Sequence, residues 1–272
     1  MIIKALRIIG RSSIDFLRDD GLMLAGALSY FTMMTMVPFC LFLITVFGHF
    51  LGQYPGLYQF FLAKLTNFFP SVTQEITNDL GKIIGLQGLG KYSLLLYGFL
   101  SYQVFASLEV ALNTIFKVKK RRGFVFSILV SLLVVALIIA LLTTAFTAAS
   151  LIPLLNTMDP GLAFLRLGRI SKFLVQYFVP FGLVLLSTSL LYKIVPKTGV
   201  NPRAALKGAF FTAVLLEIAK HLFTWFVSSV AQYGKIYGPL SAFILFLLWM
   251  FYASVIFLIG AKIVYNLENR KW

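Results

Sequence analysis

Six long apolar stretches, roughly residues 24–48, 92–116, 124–152, 173–195, 205–231 and 238–265, make up most of this chain. Each is long enough to cross the ~30 Å hydrocarbon core of a bilayer, which takes about 20 helical residues. A helix with one solvated face would interrupt such runs every few residues with polar positions. The pattern predicts an all-α integral membrane protein, a six-transmembrane-helix bundle forming a single membrane domain over 1–272. Composition agrees: 12% of the residues are charged, about half the share in soluble domains.

The net charge of +15 invites a nucleic-acid reading, so its distribution matters. With a cytoplasmic N-terminus, the inside segments 1–23, 117–123, 193–207 and 266–272 hold fifteen Lys and Arg. The longer outside segments 49–91, 150–172 and 232–237 hold seven. The positive-inside rule then puts both termini in the cytoplasm. The run Lys117, Lys119, Lys120, Arg121 and Arg122 reads first as a topology anchor and next as a contact for anionic lipid headgroups. Nucleic-acid binding is not expected.

Residues 1–23 read as an interfacial amphipathic helix. Ile2, Leu6, Ile9 and Phe16 recur at helical spacing and basic residues occupy other faces, before the chain enters the membrane at Gly21. The first residues lack a signal peptide's pattern, so the first apolar run is expected to remain as a helix. The extracytoplasmic segment 49–91 contains an apolar stripe, Leu57, Phe61, Leu65 and Phe68. It rests on the bundle or serves as a lid or docking surface for a periplasmic partner.

An ionisable residue at membrane depth costs several kcal/mol unless paired or hydrated, so each is a candidate. Glu217 falls roughly 18 Å into the fifth span at 1.5 Å per residue. Lys220 and His221 follow at i+3 and i+4, on the same helix face. They form either a structural ion pair or a polar patch lining a cavity. Glu109 lies in the second span with Gln103 nearly two turns further out, and Lys262 lies in the last turns of the sixth. Lys262 either pairs with Glu109 or extends to the inner headgroups. Pro38 and Pro180 are expected to kink their helices, and Gly238 and Pro239 shape a tight connection.

These residues also carry a resemblance. Ala25-Gly26-Ala27-Leu28-Ser29-Tyr30-Phe31, leading to Val37-Pro38, resembles the opening motif of the YihY/BrkB family of bacterial inner-membrane proteins. Leu191-Tyr192-Lys193-Ile194-Val195-Pro196, followed by Gly208-Ala209, resembles its central motif. Tyr237-Gly238-Pro239-Leu240-Ser241-Ala242, then Leu248-Trp249 and Gly260-Ala261, resembles its C-terminal signature. The resemblance implies a multi-pass protein of the bacterial inner membrane. Where the family usually reads Gly-Ala-Glu, this chain has Gly260-Ala261-Lys262, so the role of that acidic position is lost here or its charge pairing is inverted.

The family has carried labels as a tRNA-processing ribonuclease, as a virulence factor and as a mover of envelope lipids. RNA hydrolysis needs metal-binding carboxylates and histidines or a positioned acid–base pair. Nine acidic residues and two histidines, His49 and His221, supply no such pattern. Asp15, Asp19 and Asp20 cluster beside Arg18, where a helix-start and solubility role is expected. No enzyme, no metal site and no cofactor are expected, and a single cysteine, Cys40, excludes an intrachain disulfide. Transport of a lipid or amphipathic envelope component fits best, through a cavity lined by the sparse polar residues, with membrane lipids as partners. Self-association is left open. The alternatives are an ion- or proton-coupled small-solute transporter or channel, and a non-catalytic envelope scaffold.

Overall fold

The computed structural model describes residues 2–35, 91–118, 123, 125–134, 136–137, 140–141, 178–229 and 240–269. Pro38, residues 49–90, Lys119, Lys120, Arg121, Arg122, Gly238 and Pro239 lie outside the described residues. Every regular element among the described residues is helical. In chain order these are α1 (Ile2–Arg18), α2 (Gly21–Thr35), α3 (Lys91–Ile115), α4 (Val125–Val134), α5 (Val179–Ile194), α6 (Pro202–Ser229) and α7 (Leu240–Asn269). Two stretches, Pro202–Val227 in α6 and Ile244–Asn269 in α7, are long and apolar enough to cross a bilayer. At 1.5 Å per residue each runs about 39 Å.

The helix starts and stops follow local chemistry. The expected interfacial helix ends at Arg18, and a two-residue turn, Asp19–Asp20, separates it from α2. Asp20 takes a left-handed φ of 55° there. Next in the chain, Gly21 lies against the Phe16 ring, which occupies the space that a Cβ would need. α3 closes with the Lys117 N–H donating to the Thr114 carbonyl (3.0 Å) and the Val118 N–H to the Asn113 carbonyl (2.9 Å). This is the Schellman pattern, in which the residue with positive φ is usually glycine. Here it is Lys117, at φ 54°. α6 begins with Asn201 capping: its Oδ1 accepts the Arg203 N–H at 3.0 Å, with Pro202 next in line. Proline suits that position because its missing N–H has no intrahelical partner there.

The chain divides into two compact units. One comprises Met1–Ala25, Leu108–Leu222 and Ala253–Trp272. Its core contains Phe16, Ala25, Leu112, Ile115, Tyr192, Ala205, Ala209, Leu258, Ala261 and Val264. Within it, α6 offers α7 a small-residue face, Ala205, Gly208, Ala209 and Thr212. A Cβ on Gly208 would stand 2.9 Å from the Gly260 carbonyl oxygen. Small residues at such crossings let backbones approach, which is how membrane helices gain packing where lipid supplies no hydrophobic drive.

The other unit comprises Gly26–Ser107 and Phe223–Tyr252. There, the Ser29, Thr32 and Thr35 hydroxyls donate to carbonyls of their own helix at 2.7–2.8 Å, so they need no partner from elsewhere. Phe223 packs on Trp249 with ring centroids 5.2 Å apart.

Candidate functional site

The polar residues of the first unit fall into two groups, one buried around Lys262 and one exposed on α6. Lys262, in the last two turns of α7, is 1% exposed. Its Nζ donates to Asp19 Oδ2 and stands 4.6 Å from the centre of the Tyr265 ring. Asp19 receives a second cation, Lys117 Nζ, at 3.3 Å from Oδ1. One carboxylate thus serves two ammonium groups, from the ends of α3 and α7. Partial burial pushes the Asp19 carboxyl up, but the bonds and charges of Lys262 and then Lys117 outweigh it and hold it below the usual carboxylate range. The two non-glycine residues with positive φ among those described, Asp20 and Lys117, adjoin Asp19 in sequence and in space respectively. Such backbone persists only where surrounding contacts over-determine it.

One turn beyond Lys262, Asn266 is fully buried. Its Nδ2 donates to Ser12 Oγ (2.9 Å) and Asp15 Oδ2 (3.2 Å). α1 and the turn that follows it are therefore tied to α7 at two successive levels. Three further links brace the unit. Ser127 Oγ of α4 donates to Glu109 Oε2 of α3. Asn113 Oδ1 accepts the Lys197 N–H at 2.9 Å, holding the segment after α5. Tyr192 Oη donates to the Phe257 carbonyl (2.5 Å) and shares a hydrogen bond with Thr212 Oγ1 (2.8 Å). Tyr192 and Thr212 press against Gly260, where a Cβ would stand 2.5 Å from the tyrosine oxygen.

Two sequence expectations need correction. Glu109 and Lys262 do not pair: Glu109 bonds to Ser127 and Lys262 bonds to Asp19. Lys262 does not extend outward either, since it is covered by protein. Asp19 was expected to serve helix start and solubility, and it is instead the counter-ion of a buried lysine. Its signal in the sequence was the position of Lys262 and Asn266 at i and i+4 on an apolar helix, a polar stripe that requires partners. Tyr192, Thr212 and Ser127 carried no comparable signal.

The second group keeps the geometry expected of it. Lys220 Nζ lies 2.5 Å from Glu217 Oε1, and His221 Nε2 lies 3.5 Å from the same oxygen. Its setting is different: the side chains are 38%, 52% and 70% exposed for Glu217, Lys220 and His221. Among the described residues they sit on an exposed face of α6. Gln103 is exposed in the other unit, and Pro180 stands in the first turn of α5, as described. A cavity of about 260 Å³ lies at the start of α6, lined by Asn201, Arg203, Ala204, Lys207, Leu267 and Glu268. The Glu268 carboxylate closes on it, accepting the Asn201 N–H at 3.0 and 3.2 Å.

The chain matches the family described as Virulence factor BrkB over residues 13–272. A UPF0761 membrane protein of Alkalilimnicola ehrlichii is 29% identical over 269 residues, covering 93% of this chain and 56% of that one. One from Azotobacter vinelandii is 32% identical over 265 residues, with 94% and 62% covered. One from Pseudoalteromonas translucida is 27% identical over 247 residues, with 88% and 78% covered. The chain therefore spans less than two thirds of the first two relatives' length. No solved structure matches it. The central motif at Tyr192 and Gly208 meets the C-terminal signature at Gly260 in one packed junction, and the match runs through all of it: this chain belongs to the YihY/BrkB family of membrane proteins.

Proposed function

We propose that this protein moves a lipid or amphipathic envelope component across the bacterial inner membrane, without changing it chemically, as a six-span protein with cytoplasmic termini. The observation that carries the reading is the exposed Glu217–Lys220–His221 cluster. It sits about 22 Å beyond Pro202 on a helix long and apolar enough to span lipid. Charged groups facing acyl chains at that depth are costly, about 2.5–3.5 kcal/mol each on insertion scales. Such a face needs a polar neighbour. A headgroup passing along it supplies one, while its acyl chains stay in the surrounding lipid, beside the exposed Ile218 and Leu222. The path is thus a surface track, where the sequence suggested a cavity. Basic residues at the inner end, including Lys117, would gather anionic headgroups.

The exposure also favours a second reading, in which a second copy covers the face. A twofold contact would set Glu217 of one copy against Lys220 and His221 of the other.

Purified protein in proteoliposomes, assayed with headgroup-labelled anionic and zwitterionic lipids, tests the proposal. Movement that is lost in a well-folded Glu217→Gln/Lys220→Gln variant is expected. No movement above empty liposomes, with or without an ion gradient, overturns it. Crosslinking between copies at position 221 would favour the second reading.

A further inference from the structure

α1 has two faces, and their chemistry is unlike. The inner face is spoken for: Ser12 and Phe16 are buried, Ser12 and Asp15 meet Asn266, and Asp19 just beyond meets Lys262. The outer face carries Arg7, Arg11, Ile14 and Arg18, all exposed, at spacings of four, three and four residues. Those spacings stack side chains in one row along a helix. Leu17 and Gly10 border the row and are exposed as well. The face thus holds three guanidinium groups, while the one acid of α1, Asp15, meets Asn266 through Oδ2. Exposed apolar side chains continue past the turn, with Leu22 and Met23 at the start of α2.

On an interfacial helix, an apolar stripe such as the one containing Phe16 is ordinarily the face turned to lipid. The structure gives Phe16 to the protein and leaves a different face outward. That face combines cations with apolar side chains and runs into the first apolar helix of a membrane protein. Guanidinium groups beside exposed Ile and Leu match a surface of anionic headgroups over acyl chains.

We infer that the outer face of α1, formed by Arg7, Arg11, Ile14, Leu17 and Arg18, docks on the anionic phospholipid leaflet at the Gly21 end of α2. The contact is electrostatic in selectivity and apolar in depth: the arginines choose anionic headgroups, and Ile14 and Leu17 enter the boundary below them. It does not depend on the transport reading, since it concerns neither α6 nor movement of lipid.

The test uses the full chain with Cys40→Ser and a nitroxide on Gly10→Cys, a site where an added Cβ meets nothing within 4 Å. Proteoliposomes of phosphatidylcholine alone are compared with phosphatidylcholine mixed with phosphatidylglycerol. The expected result is a severalfold rise in collision with oxygen relative to a water-soluble nickel chelate when phosphatidylglycerol is present. Arg7→Gln/Arg11→Gln/Arg18→Gln should lose the rise, and the corresponding triple Lys variant should keep it. Equal accessibility in the two lipids overturns the inference, whether the label is deep in both or wet in both. So does a rise that survives the Gln substitutions. Retention by the Lys variant separates loss of charge from loss of fold.

Discussion

Removing the Asp19 carboxylate should cost far more than removing either the exposed cation beside it or both partners of its bond to Lys262 together. Asp19→Ala leaves Lys262, 1% exposed, without its counter-ion. Breaking a buried pair in that way costs about 3–5 kcal/mol, because the remaining charge is stranded. Lys117 is 56% exposed, and its ion pair at 3.3 Å is screened, so Lys117→Ala should cost no more than about 1 kcal/mol. Lys262→Met keeps most of the volume and leaves Asp19 its second cation, for a loss of about 1–3 kcal/mol. In Asp19→Ala/Lys262→Met no charge is stranded, and stability should return to within about 1–2 kcal/mol of wild type, since apolar replacement of a buried pair is often near neutral. Unfolding by sodium dodecyl sulfate in mixed micelles measures all four. The reasoning fails if Asp19→Ala is no worse than Lys117→Ala, or if the double variant is as unstable as Asp19→Ala.

Other consequences of the same geometry can be measured alongside it. Because the Asp19 carboxyl is held below its ordinary value, its contribution should be fully present above the unfolded carboxylate pKa of about 3.9 and be lost as pH falls below that; acid titration of thermal unfolding should show this loss in wild type and not in Asp19→Ala. Lys117→Gly, which removes the side chain but suits φ 54°, should be more stable than Lys117→Ala by about 1 kcal/mol. Gly260→Ala should destabilise by about 1–3 kcal/mol, since the new Cβ meets Tyr192 and Thr212 at once, and Tyr192→Phe should lose about 1 kcal/mol with its hydroxyl bonds. Glu217→Gln should leave the unfolding midpoint nearly unchanged, as the pair is exposed, while abolishing lipid movement in proteoliposomes.

The exposed cluster on α6 was legible in advance because i, i+3 and i+4 spacing on a helix fixes which side chains meet. Glu217 with Lys220 and His221 needed only the correct secondary structure. Its direction was not legible, since whether a helix face looks inward depends on what the neighbouring helices present. Asp19 illustrates the harder case. It lies 243 residues from Lys262, and nothing local to either distinguishes that partner from Glu109. The burial of Phe16 was not legible for a related reason: a stripe on an amphipathic helix shows that a face is apolar, not whether protein or lipid covers it.

What the sequence alone determined is helical, membrane-protein character and membership of a family. Long uninterrupted apolar runs need lipid as their solvent, and the motifs of that family are written in contiguous residues. The tertiary structure alone decided the pairings: Asp19 with Lys262 and Lys117, Glu109 with Ser127, and Tyr192 with Thr212 across the Gly208–Gly260 crossing. Helix formation is a short-range property of neighbouring residues, whereas a buried charge takes whichever opposite group packing brings within reach.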